Sequence, residues 1–140
     1  MMRKEIEELL KKEGYYPLTT SLWNSFNFEQ TRPNNCQEFE NNINIIESHL
    51  QNQKGVYVYE NASKEIVYIG KGKPIKKRIK SHYNKLLKEK DADNRDTFFI
   101  NNQGTMKIYW KEIEEDDERE VIEHLLSYLV KPKYKKWRAI

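Results

Sequence analysis

Two hydrophobic rhythms alternate along this chain, one recurring every three or four residues and one every two, and they set out its elements in order. Ile6, Leu9 and Leu10 predict a short first helix, with Gly14 free to take the left-handed turn that ends it. Residues 15–34 are aromatic and polar without a clean period; they read as an irregular arm whose Trp23, Phe26 and Phe28 pack onto the body. Phe39, Ile43, Ile46 and Leu50 return to helical spacing, with Asn35 as N-cap, Glu38 completing a capping box and Gly55 as the stop. The rhythm then becomes strand-like in Val56–Glu60 and Glu65–Ile69, joined by the turn residues Asn61-Ala62-Ser63-Lys64. Pro74 suits the first position of a helix that buries Ile75, Ile79, Tyr83, Leu86 and Leu87. A loop is expected over Asp91–Gly104 and a third strand over Met106–Trp110. Asp117 with Glu120 would cap a last helix whose apolar face is Val121, Ile122, Leu125, Leu126 and Leu129. The core order is β-β-α-β-α, an α+β arrangement of a small sheet backed by helices.

Composition narrows the setting. At 140 residues and 17.0 kDa the chain has room for one hydrophobic core. No apolar run approaches membrane-spanning length, and Met1 to Glu5 lead into an amphipathic segment, not a signal core, so a soluble, cytoplasmic protein with no membrane partner is expected. The single cysteine, Cys36, excludes an internal disulfide and a cysteine-based zinc cluster, and reads as an ordinary loop or helix-start residue. The net charge of +3 conceals an asymmetry: residues 1–50 hold five Lys/Arg against eight Asp/Glu, and residues 51–140 hold twenty against fourteen. Positive charge gathers between Lys71 and Lys90 and between Lys131 and Arg138, interleaved with Tyr, Trp and His, which favours a polyanion partner.

Helical and strand geometry single out a few polar side chains. At ~100° per residue, the buried arc of the basic helix centres on Ile79 and Leu86, with His82 at its edge and Arg78 one turn earlier. Lys77, Ser81 and Lys88 point to solvent. On the last helix Glu120 and Ser127 fall on the outer face, whereas Glu123 sits beside Leu126 and Val130 at the apolar border. Strict alternation puts Tyr57 with Tyr59 on one face, and Tyr68 with Ile66. For Tyr59 the better reading is a half-buried sheet residue. Gly70-Lys71-Gly72-Lys73 lacks the spacing of a phosphate-cradling Walker loop and reads as a turn.

In this order the residues resemble the GIY-YIG nuclease family. Gly55-Val56-Tyr57 is a Val-for-Ile form of the first motif and Tyr68-Ile69-Gly70 is the second without change. Arg78 follows Tyr68 by ten residues and His82 follows Arg78 by four, the family's spacing for its arginine and its His/Tyr position. Glu123 opens Glu123-His124-Leu125-Leu126, and Pro132-Lys133-Tyr134 closes the segment, similar to the family's metal-binding helix and trailing Pro-x-Tyr-Asn. Lys135 stands where the asparagine is frequent, so that contact is lost or supplied by Asn101 or Asn102. The resemblance covers about residues 55–135 and implies a three-stranded antiparallel sheet flanked by helices, residues 55–140 as the nuclease domain, and residues 1–54 as a helical or irregular extension packed on it.

The activity so implied is a divalent-metal-dependent DNA endonuclease hydrolysing phosphodiester bonds at one site built from Tyr57, Tyr68, Arg78, His82 and Glu123. Glu123 would hold a single Mg²⁺ or Mn²⁺, ions content with one carboxylate and several waters. Arg78 would brace the scissile phosphate through paired N–H donors. Tyr57 would orient water or phosphate. Lys71, Arg78 and the metal would favour a Tyr68 phenolate as the base, with His82 the competing base, and the choice between them stays open. Lys71, Lys73, Lys76, Lys80, Lys131, Lys133, Lys135 and Lys136 would contact flanking phosphates, giving affinity without sequence information. Cutting both strands of a duplex leaves a homo-oligomer open. The alternative reading is a catalytically inactive nucleic-acid-binding module on the same scaffold.

Overall fold

The computed structural model describes residues 2–87 and 94–134. In chain order the elements are α1 (Met2–Lys12), β1 (Asn24–Gln30), α2 (Cys36–His49), β2 (Gly55–Asn61), β3 (Ile66–Gly72), α3 (Ile75–Asn84) with a 3₁₀ turn at Lys85–Leu87, α4 (Asn94–Asn101), β4 (Gly104–Glu112) and α5 (Asp116–Val130). The strands form one sheet in the order β1-β4-β2-β3, with every neighbouring pair antiparallel. Among the described residues no helix is long and apolar enough to cross a membrane.

The sheet has four strands where three were expected. The arm read as irregular contains β1, which pairs with β4 from Asn24 opposite Trp110 to Gln30 opposite Gly104. Its inward residues Phe26, Phe28 and Gln30 alternate as a strand requires, and Trp23 is buried just before it. The segment expected to be a loop holds α4, which brings Phe98 and Phe99 against the core.

The sheet separates two apolar layers. On one side, under α2, α3 and α4, lie Phe28, Ile46, Tyr57, Tyr59, Tyr68, Ile79, Tyr83, Phe99 and Ile108. On the other, under α1 and α5, lie Leu10, Trp23, Val56, Val58, Ile69, Ile122, Leu126 and Leu129. The helix faces follow the predicted periods with local exceptions. Leu87 and Val121 are exposed, because the chain tightens into a 3₁₀ turn before Leu87 and Val121 lies off the ridge of Ile122, Leu126 and Leu129.

Caps account for the helix starts. Asn35 Oδ1 accepts the backbone N–H of Glu38 at 2.8 Å, as the sequence predicts. That helix ends on an extended Leu50, and Gly55 is not its stop but the first residue of β2. Pro74 is the N-cap of α3, one position before the first helical residue. The expected Asp117 cap is not used: α5 begins at Asp116 after Glu115, which makes no side-chain cap. Arg119 instead ties the helix start to the preceding chain, its buried guanidinium donating to the carbonyl oxygens of Ile113 at 2.8 Å and Glu114 at 2.9 Å, and to Asp116.

One irregularity sets the faces of β3. The pairing shifts between Tyr59 opposite Tyr68 and Glu60 opposite Ile66, a bulge that takes up Val67. Tyr68 therefore does not share a face with Ile66. It joins Tyr57 and Tyr59 on the α3 side, while Ile66 packs on the α5 side.

Candidate active site

Tyr57 leaves β2 on the α3 side, and its ring lies across β3 because the residue paired with it is Gly70. A Cβ at Gly70 would stand 2.5 Å from both Cζ and Oη of Tyr57 and 2.9 Å from Cε1 of Tyr68. Only a residue without a side chain admits both rings. One rung along, Tyr59 faces Tyr68, and the Tyr57 and Tyr68 rings are stacked 6.1 Å apart.

The basic helix α3 then brings His82 over these rings. Tyr57 Oη and His82 Nε2 are 2.6 Å apart, both side chains fully buried. The His82 ring also meets Tyr68 edge-on at 4.9 Å. Arg78, one turn earlier and half-buried, lies beside the Tyr57 and Tyr68 phenols. Four of the expected site residues thus form one contiguous cluster.

Burial pushes the Tyr57 pKa well above its ordinary value, Tyr68 and Tyr59 add to the rise, and the adjacent Arg78 offsets only part of it. Tyr57 is therefore a neutral phenol at neutral pH. A neutral phenol donates its O–H to His82 Nε2 in the tautomer that leaves that nitrogen unprotonated, and accepts from it in the other. For Arg78, burial opposes the charge, but the Tyr57 and Tyr68 oxygens raise its pKa further above its usual range.

Two further residues belong to this cluster, Tyr59, which the sequence reads as a half-buried sheet residue, and Phe99, which falls in the expected loop. Tyr59 is fully buried, its ring 6.0 Å from both Tyr57 and His82, and its hydroxyl finds no hydrogen-bond partner among the described residues. A buried phenol left unpaired costs ~1–3 kcal/mol. Phe99 stacks on His82 at 4.6 Å and lies 5.0 Å from Tyr68. Its signal was the apolar run Phe98-Phe99-Ile100 inside the expected loop. Tyr134 packs on Tyr68 at 5.3 Å and on Phe98 at 5.1 Å, closing that side.

Glu123 comes from the other layer. The apolar ridge of α5 packs on the opposite sheet face, but β3 is an edge strand and α5 runs along it in step. Asp116 pairs with Lys73 and Glu120 with Lys71, and beyond the helix the N–H groups of Lys133 and Tyr134 donate to the carbonyls of Ile66 and Val67. At ~1.5 Å per helical residue and ~3.3 Å per strand residue, three residues beyond Glu120 bring Glu123 level with Gly70 and Ile69. The side chain is fully buried there. Ser127, expected on the outer face, is also buried, since the chain returns beside it to pair with β3.

Among the described residues no group of three or more His, Cys, Asp or Glu side chains converges. A zinc-type ligand set is thus not assembled among the described residues.

Of the lysines expected to meet DNA, several hold acidic partners. Lys76 and Lys80 share Glu47 at 2.8 and 2.6 Å, Lys133 pairs with Glu65 at 3.2 Å, and Lys71 and Lys73 bind α5 as described. Lys131 is exposed at the left-handed C-cap of α5. Lys88, Lys135 and Lys136 lie outside the described residues. Asn102 donates to its own helix, at Phe98 O, and Asn101 is exposed.

The sequence is similar to those of known proteins. The sequence profile of the UvrC-like GIY-YIG domain matches residues 53–135. UvrABC system protein C of Helicobacter pylori strain G27 is 32% identical over 88 residues, covering 61% of this chain and 15% of that protein. The protein of that name from Fervidobacterium nodosum is 28% identical over 85 residues, covering 61% and 14%. That of Methanococcus maripaludis is 44% identical over 43 residues, covering 31% and 8%. The chain therefore spans about 15% of the length of such relatives.

Proposed function

We propose, for a chain that belongs to the GIY-YIG nuclease family through its UvrC-like domain, that it is a catalytically active, divalent-metal-dependent DNA endonuclease. The observation that carries this reading is the buried 2.6 Å hydrogen bond between Tyr57 and His82, with Arg78 beside the same phenol and Tyr68.

Phosphodiester hydrolysis needs a deprotonated water, a braced phosphate and help for the departing oxygen. In this reading Tyr57 Oη takes a proton from the attacking water while its own proton passes to His82 Nε2, leaving an imidazolium. The water oxygen forms a bond to phosphorus as the bond to the 3′ oxygen breaks, and that oxygen takes a proton from solvent. Such a relay answers the difficulty of a phenol as base, since a free tyrosine has a pKa of about 10. Arg78 is the half-buried member of the cluster, and its fork of donors would grip the phosphate. Glu123 would hold a Mg²⁺ or Mn²⁺, which when bound neutralises phosphate charge and acts as a Lewis acid.

Tyr57, His82 and Glu123 have no exposed surface, so a substrate must shift what covers them, and Phe99 and Tyr134 are the rings stacked over His82 and Tyr68. Lys131, Lys133, Lys135 and Lys136 would bind flanking phosphates. Lys71, Lys73, Lys76 and Lys80 would do so by exchanging carboxylates for phosphates, a cheap exchange because exposed ion pairs contribute ~0–1 kcal/mol.

The test is a nicking and cleavage assay on supercoiled, linear and branched DNA with Mg²⁺ or Mn²⁺, with the ends mapped. Cleavage leaving a 5′ phosphate, abolished in Glu123→Gln while DNA binding persists, is expected. Intact DNA under all conditions, with native protein and Glu123→Gln binding alike, would make the chain a binding module.

A further inference from the structure

The helix that carries Arg78 and His82 is held from outside the family-matched segment. Gln30, the last residue of β1, is fully buried, and its Nε2 donates to the backbone carbonyl oxygen of His82 at 3.1 Å. That carbonyl lies in the last turn of α3, where the chain tightens into the 3₁₀ turn at Lys85. The final four carbonyls of a helix lack partners of their own along the helix. Gln30 supplies one, at the residue whose imidazole meets Tyr57.

The neighbouring contacts come from the same direction. Asn42 of α2 donates to Tyr83 Oη at 2.7 Å, and Phe28 and Phe39 pack on the Tyr83 ring at 5.2 and 5.5 Å. Those contacts hold Tyr83, whereas Gln30 holds the backbone of His82 itself. A glutamine is an expensive way to fill this space, since its Oε1 finds no partner among the described residues.

We propose that Gln30 is a positioning residue for His82, fixing the imidazole at hydrogen-bond distance from Tyr57. The catalytic consequence rests on the nuclease reading, but the structural one does not. In the Gln30→Met variant, which keeps side-chain length and removes the donor, the His82 carbonyl loses this hydrogen bond and His82 moves relative to Tyr57. A shift of ~1 Å at a reacting group can cost about 100-fold in rate.

The experiment compares wild type, Gln30→Met and Asn42→Leu, the last removing a buried hydrogen bond from the adjacent residue. The His82 imidazole ¹⁵N and Tyr57 hydroxyl ¹H resonances are recorded without metal or DNA, followed by DNA affinity and single-turnover cleavage with Mg²⁺. Expected are altered His82 and Tyr57 signals in Gln30→Met, much smaller changes in Asn42→Leu despite a similar loss of Tm, unchanged DNA affinity and slower cleavage. Gln30→Glu gives an independent arm. Its protonated carboxyl can donate to the same carbonyl, so wild-type signals should hold below the pKa of that buried acid and be lost above it. Signals in Gln30→Met that superimpose on wild type, or equal changes in Asn42→Leu, overturn the proposal. Should Gln30→Met not fold, Gln30→Glu signals that stay wild-type once its carboxyl is ionised do the same. Failure of wild type to cleave defeats the nuclease reading, and the resonances still decide the role of Gln30.

Discussion

Replacing Gly70 by alanine probes the steric basis of the site with one added methyl group. That methyl would lie 2.5 Å from Cζ and Oη of Tyr57, and ordinary contact begins at 3.4 Å, so the ring tip must retreat by about 0.9 Å. The phenol has little room, with Tyr59, Tyr68 and His82 around it. A displacement of that size exceeds the spread of normal hydrogen-bond lengths, so the 2.6 Å bond to His82 cannot keep its geometry. Overpacking of a dense core costs ~1–3 kcal/mol. For a domain of this size that corresponds to a fall in Tm of roughly 4–12 °C. Cleavage should drop about 100-fold, the cost of a comparable misplacement at a reacting group. Thermal unfolding by circular dichroism and single-turnover plasmid nicking read the two effects separately. A Gly70→Ala protein with Tm within 2 °C of wild type (about the measurement error against the expected shift) and undiminished nicking would refute the claim that this glycine exists to admit the Tyr57 ring.

The same chemistry sets three further expectations. Arg78→Lys keeps a positive charge but loses the planar fork that meets two phenols, so cleavage should fall at least about tenfold with little change in DNA affinity; equal rates would remove Arg78 from the site. Tyr57→Phe removes the donor to His82 and should abolish the relay, read as loss of cleavage and of the shifted His82 resonance; retained activity would move the base to Tyr68. Glu47, whose pKa the Lys76 and Lys80 ammonium groups lower to about 2, contributes stability that is fully present above the ordinary carboxylate pKa of 4.5 and is lost as pH falls toward 2. Glu47→Gln should flatten that part of the acid-unfolding curve and, by freeing two lysines, tighten DNA binding with a steeper salt dependence; an unchanged salt slope would take Lys76 and Lys80 out of the interface.

Much of this site was legible before any coordinates. Gly55-Val56-Tyr57, Tyr68-Ile69-Gly70, Arg78, His82 and Glu123 are marked by identity and spacing, and the periods of the flanking segments assign them to strand and helix. What escaped was of another kind. β1 alternates Phe26, Phe28, Gln30, but its third inward residue is polar and its flanks are crowded with aromatics, so its period was blurred. Tyr59 looked like a sheet residue because nothing local says that Phe99, forty residues on, will close over it. The bulge at Val67, which turns Tyr68 away from the Ile66 face, depends on how β2 and β3 settle against each other.

The chain by itself therefore determined which groups are available and the local geometry that carries them, because helix and strand periods act over a few residues. The tertiary structure alone decided that a phenol would be neutral and bonded to an imidazole, that a carboxylate on the far layer would stand along an edge strand, and that a glutamine from the first fifty residues would hold the histidine's backbone. Those outcomes follow from burial and from contacts between distant segments, and neither has a signature in neighbouring residues.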